Sequence, residues 1–207
     1  MLNDPRVDPT WRMSQFFFGG TFFYWISVFG TVPLLTMRTF SEEKRTGTLE
    51  LLFSAPVTDA QVVVAKFLGV WLCYAALWAG TIVYFLLLRR FTPLDWGPIL
   101  TGYLGTWLLG AVLIAAGVLA SSFTRNQVIA GFIGLVLMVL FFCLGMLDVF
   151  VVDPEARKMV EYFSLLDHFR QFSKGILDTR PLVLYLSLTV GLLLVTIRVI
   201  ATPRWRG

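Results

Sequence analysis

Charge is scarce in this chain, and its distribution is more telling than its amount. Only 17 Lys+Arg and 13 Asp+Glu occur in 207 residues, with one histidine and two cysteines. No acidic, basic or histidine residue interrupts the apolar runs 16–37, 67–88, 96–123, 126–147 and 181–196. Ion- and proton-coupled carriers keep ionisable groups inside the bilayer, because a buried charge is costly and is retained only for a task. Their absence argues against a secondary transporter, and equally against an intramembrane protease, which needs a nucleophile or metal ligands at depth. Cys73 and Cys143 sit in different runs with no metal-ligand spacing and read as packing residues. His168 has no ligand companion and reads as a polar surface residue. There is no glycine-rich phosphate loop ending in lysine, so the chain is not expected to bind or hydrolyse ATP by itself. No cleaved signal is expected either: Asp4, Arg6, Asp8 and Arg12 precede a run too long for a signal-peptide core. The net charge of +4 comes from scattered basic residues, which suits anchoring at membrane lipid and not nucleic acid.

Hydrophobic residues make up 57% of the sequence and aromatics 15%. That profile belongs to an integral membrane protein. A helix needs about 20 apolar residues to cross the hydrocarbon layer. Five runs qualify, 16–37, 67–88, 96–123, 126–147 and 181–200, the last completing its passage with Arg198 and Ile200. The expected fold is therefore all-α and polytopic, a single membrane domain over residues 1–207, with its ends on opposite sides. Charge does not orient it: Arg198, Arg204, Arg206 and the 38–45 cluster oppose Arg89, Arg90 and Arg180. Gly102, Thr106 and Gly110 recur every fourth residue, with Ala111, Ala115, Ala116 and Gly117 beside them and Gly131 and Gly134 in the next run. Such faces allow close helix approach, within one subunit or at a pathway or dimer face. Pro33 is placed to bend the first run. Of the tryptophans, Trp96 reads as an interfacial anchor, whereas deeper ones such as Trp71, Trp78 and Trp107 are candidates to line a path for a lipid-like substrate.

Residues 149–180 form the largest segment outside the runs. Asp153–Pro154 is a helix start, and Met159, Phe163, Leu166, Phe169 or Phe172 and Ile176 recur at helical spacing among charged residues. An amphipathic helix lying at the bilayer edge follows, interrupted at Gly175.

The most structured wet segment is 37–66. Glu42 and Glu43 precede Lys44 and Arg45, close enough for stabilising pairs in a helical extension. Gly47 permits a sharp turn, and Thr48 can cap a short helix through Phe53 that buries Leu49, Leu52 and Phe53 while Glu50 stays wet. Pro56 stops it, and Thr58 with Gln61 forms a capping box for the next helix. On physics alone this elbow is either a solvated connector or a docking surface, and it holds no catalytic constellation.

The string MRTFSEEKRTGTLELLFSAPVTDAQVVVAKF, residues 37–67, resembles the cytoplasmic loop of ABC-2 type transporter permeases. HFRQFSKGILDTRPLVLYLSLTV, residues 168–190, resembles the gliding-motility-associated branch. The resemblance implies a type V exporter-like transmembrane domain in a bacterial cytoplasmic (inner) membrane. It implies a non-enzymatic permease that takes no cofactor and works beside a second permease subunit, identical or related, and a separate ATP-hydrolysing subunit. It makes 41–58 a cytoplasmic coupling region and 149–180 extracytoplasmic. The coupling residues it indicates are Glu42, Glu43, Arg45, Gly47, Thr48, Leu49, Glu50, Leu51, Leu52, Phe53 and Pro56. Because such permeases have six spans, it also implies that the family's first span is missing, with residues 1–15 leading into what is normally the second. The implied activity is ATP-driven movement of an unidentified substrate, linked to gliding motility or surface export. The competing reading is a non-transporting membrane scaffold that docks an ATPase.

Overall fold

Helix is the local solution open to these runs, because a lone span in lipid must satisfy every backbone N–H and C=O within itself. The computed structural model describes residues 16–18, 22–48, 57–91, 94–145 and 164–201, and every regular element among them is helical. In chain order these are α1 (Phe22–Thr36), α2 (Ser41–Thr46), α3 (Asp59–Gly80), α4 (Ile82–Leu88), α5 (Trp96–Phe123), α6 (Gln127–Leu144), α7 (Leu165–Ser173) and α8 (Thr179–Ala201).

Four helical segments among the described residues are long and apolar enough to cross a membrane: Asp59–Leu88, Trp96–Phe123, Gln127–Leu144 and Thr179–Ala201. Five spans were expected, and the described residues contain four; of the first run they include 16–18 and α1, which has 15 residues, while 19–21 lie outside them. The helix of the second run begins where the capping box was expected to launch it, at Asp59, eight residues ahead of the apolar run, with Thr58 and Gln61 satisfying the first free amides from both sides. Thr81 marks a single turn between α3 and α4, its hydroxyl donating to the Trp78 carbonyl at 2.6 Å. Asp95 and Asn126 cap α5 and α6 by accepting from Gly97 and Val128 N–H.

The helices are organised around α5. It packs against α1, α2, α3, α6, α7 and α8, and it is buried along most of its length. Lipid offers no hydrophobic force to press helices together, so contact depends on shape. Its glycines supply that shape. A methyl group at Gly102 would lie 2.4 Å from Phe18, at Gly105 2.7 Å from Phe172, at Gly110 2.2 Å from Tyr74 and at Gly117 2.3 Å from Thr36. The small-residue face is thus filled from within the chain. Gly134 extends the close approach to α6, where a methyl group would lie 3.7 Å from Gly117 and 3.8 Å from Ala120.

Two hydroxyl pairs tie the bundle, one buried and one part-buried. Thr106 donates to Gly102 O at 2.9 Å, so the 3.1 Å contact between Tyr24 and Thr106 has the phenol as donor. By the same count Tyr103 donates to Thr81 at 2.6 Å, because the Thr81 proton is committed to Trp78. The outer faces of α3, α4, α6 and α8 present large apolar side chains such as Leu72, Val83, Phe132 and Leu186.

The amphipathic helix expected at the bilayer edge is present in part as α7, capped by Ser164, whose hydroxyl accepts from Asp167 N–H. Its apolar face does not lie in lipid. Leu165, Leu166, Phe169 and Phe172 are buried in the protein, with Phe169 stacked 5.2 Å from Tyr24 and Phe172 seated at Gly105. His168 is buried on the same helix, which corrects its reading as a surface residue. Residues 165, 166, 168, 169 and 172 share one side of the helix, so the apolar stripe carries His168 inward. Gly175 closes the helix in the left-handed region, φ +81°, against Pro98. The Asp153–Pro154 start, Met159 and Phe163 lie outside the described residues. Cys73 and Cys143 are exposed, not packed inside, because they fall on the outward faces of α3 and α6.

Replacing Gly110 with alanine drives a methyl into Tyr74, so Gly110→Ala is expected to lose about 1–3 kcal/mol. Gly191→Ala, with open space around it, is expected to lose none. Thermal unfolding of the two variants in detergent makes the comparison.

Candidate functional site: the elbow and its fastenings

The chain leaves α1 through a tight turn, Met37–Phe40, and enters α2. Thr36 donates to Val32 O at 2.9 Å, Met37 N–H donates to Pro33 O at 2.8 Å and the Thr39 hydroxyl donates to Thr36 O at 2.8 Å. Pro33 stands within α1 and is buried.

The start of α2 has no capping side chain of its own. Its cap comes from the far end of α5. Ser121 accepts from Phe40 N–H at 3.0 Å and from Ser41 N–H at 3.1 Å, and donates to Met37 O at 3.3 Å. One proton given and two lone pairs occupied saturate the hydroxyl, which is fully buried. Lys44 adds a second link by donating from Nζ to the Ser122 carbonyl, one of the free acceptors at the α5 C-terminus. Burial, followed by the nearby Arg125, holds the Lys44 amine below the usual lysine range.

On the other side α3 reaches back. Lys66 Nζ lies 2.6 Å from Glu43 Oε1, donates to Thr39 O at 2.8 Å and sits 5.0 Å above the buried Phe40 ring. Glu43 was expected to pair with its neighbours in a helical extension. It pairs instead with a lysine 23 positions on, because α3 starts early enough to bring Lys66 level with α2.

Glu42 is half-buried in the first turn of α2, and Arg45 is exposed in its last. Gly47 ends the helix at φ +74°, the left-handed conformation that favours glycine. Thr48 is exposed, its hydroxyl 2.9 Å from that of Thr46. Leu49, Glu50, Leu51, Leu52, Phe53 and Pro56 lie outside the described residues. Sequence reasoning missed Ser121 and Ser122. The available signal was a pair of hydroxyls closing an otherwise apolar helix, but nothing local says which backbone they serve.

A groove of about 360 Å³ lies between α1 and α3, lined by Tyr24, Ser27, Thr31, Leu77, Trp78 and Thr81 among others. It is aromatic and hydroxyl-bearing, with no charge. Trp71 and Trp107 meet directly, Trp71 Nε1 donating to Trp107 O at 3.0 Å. Among the described residues no group of histidine, cysteine, aspartate and glutamate could hold a metal ion.

This is a polytopic helical membrane domain whose described polar fastenings between distant segments concentrate at one elbow. Residues 9–196 match the ABC-2 family transporter protein family, and the chain belongs to it. No curated protein and no solved structure shows a significant similarity to the chain.

Lys66→Met leaves the Glu43 carboxylate without its cation and is expected to cost about 1–3 kcal/mol. The double variant Glu43→Gln/Lys66→Met is expected to recover part of that loss. A double-mutant cycle by thermal unfolding reads the coupling.

Proposed function

We propose that the chain is the permease subunit of an ATP-binding cassette transporter, with residues 41–58 as the cytoplasmic region that docks a separate ATP-hydrolysing subunit. Family membership supports a transport role. The observation that carries the coupling reading is the elbow's attachment at Ser121, Ser122 and Lys66. A loose connector would dissipate a displacement, whereas a segment bonded to two long helices passes it on. Glu42, Glu43, Arg45, Gly47 and Thr48 belong to this region, followed by Leu49, Glu50, Leu51, Leu52, Phe53 and Pro56.

On this reading 1–207 is one transmembrane domain in a bacterial inner membrane, with 149–180 extracytoplasmic, and works beside a second permease subunit. The uncharged groove between α1 and α3 suits cargo with an apolar body and hydroxyl or carbonyl groups. A link to gliding motility or surface export rests on the likeness of residues 168–190 alone.

The scaffold alternative also docks an ATPase but leaves its turnover unchanged. In liposomes holding this chain with its ATP-hydrolysing subunit, the permease reading expects the chain to stimulate hydrolysis. Glu50→Lys, or deletion of residues 48–53, is expected to abolish that stimulation. Hydrolysis indifferent to the chain would sink the permease reading.

A further inference from the structure

We infer that α5 is the push rod of the domain: Ser121 couples displacement of the elbow to α5, and α5 delivers it to α7 at the opposite end of the bundle. The inference rests on the coupling reading above and adds the route inside the membrane. At one end, the Ser121 hydroxyl is saturated by three backbone groups of the elbow, from Met37, Phe40 and Ser41. Lys44 holds the Ser122 carbonyl, and Thr36 fills the notch at Gly117. Movement of α2 must therefore carry the end of α5 with it or break several buried bonds at once.

Between its ends α5 is unbroken. Its proline, Pro98, stands in the first turn, where no intrahelical donor is lost. By contrast, α1 holds Pro33 in its interior, and α3 gives way to α4 at Thr81. At the far end, Phe172 of α7 is pressed into the notch at Gly105, and Gly175, just past α7, abuts Pro98. Coupling between distant sites travels through rigid elements and packed side chains. α5 has close-packed joints at both ends.

Ser121 is a positioning residue, so its test needs a response that loss of stability alone would not remove. Ile176, exposed just past α7, is changed to cysteine in a chain carrying Cys73→Ala and Cys143→Ala. This chain is placed in liposomes with its ATP-hydrolysing subunit. Maleimide labelling at position 176 is followed without nucleotide and with ATP plus vanadate, and hydrolysis is measured in the same vesicles. With Ser121 intact, nucleotide is expected to change the labelling rate. With Ser121→Ala, hydrolysis is expected to continue while the nucleotide-dependent change is lost. Should Ser121→Ala fail to fold, Lys44→Met, at a half-exposed position, is expected to diminish the same change. A nucleotide response that persists in the folded variant overturns the push rod, as does its absence when Ser121 is intact. Hydrolysis indifferent to the chain overturns the coupling reading itself, and the push rod with it.

Discussion

The approach of side chains into the glycine notches of α5 is the constraint on which the other contacts depend. In lipid the apolar surface of one helix gains little by leaving the tails of its neighbours, so association depends on how closely atoms can fit. Phe18, Phe172, Tyr74 and Thr36 come from four different parts of the chain, and each occupies space that a methyl group on α5 would take. Seating Tyr74 fixes the depth of α3, and that depth brings Lys66 to Glu43. Seating Thr36 fixes the end of α1, and that position lays the Phe40 and Ser41 amides against Ser121. The polar contacts of the elbow are thus set by packing deeper in the bundle.

Those polar contacts are of two kinds, and they respond to the environment differently. The Ser121 bonds are neutral, buried and saturated, so salt has little hold on them. The Lys66–Glu43 pair is partly wet, and its attraction is open to screening. An elbow held by both has one joint fixed by geometry and one that ionic conditions can soften. The second joint alone would make the weaker fastening, because salt reaches a partly wet pair.

Much of the fold was legible in the sequence, and the exceptions have physical causes. Apolar length located the long helices, and the Thr58–Gln61 box and Gly47 were read correctly because capping and left-handed turns are local chemistry. The helix start at Asp59 was encoded in that box, ahead of the apolar run that begins at residue 67. The end of the first run was legible to within a residue, and the turn after Thr36 is made by hydroxyls bonding to backbone carbonyls. The burial of His168 and the outward faces of Cys73 and Cys143 depend on which side of a helix meets α5, and an isolated helix does not know its neighbour. Ser121 illustrates the limit most sharply, since its partners lie 80 and 81 positions away.

The absence of charge within the runs and the concentration of bonds at their edge have a common consequence. The five apolar runs carry no acidic, basic or histidine residue, and the buried His168 sits outside them on α7. Several of the buried hydroxyls give their protons to carbonyls or to one another: Thr106 to Gly102, Tyr24 to Thr106, Tyr185 to Leu165. These bonds hold helices in register. Among the described residues the elbow carries several of the polar bonds between distant segments, at the edge of the apolar runs. The family match and the geometry of residues 36–48 bear on each other here, because the bonds that fasten the elbow lie at the edge of runs that carry no charge.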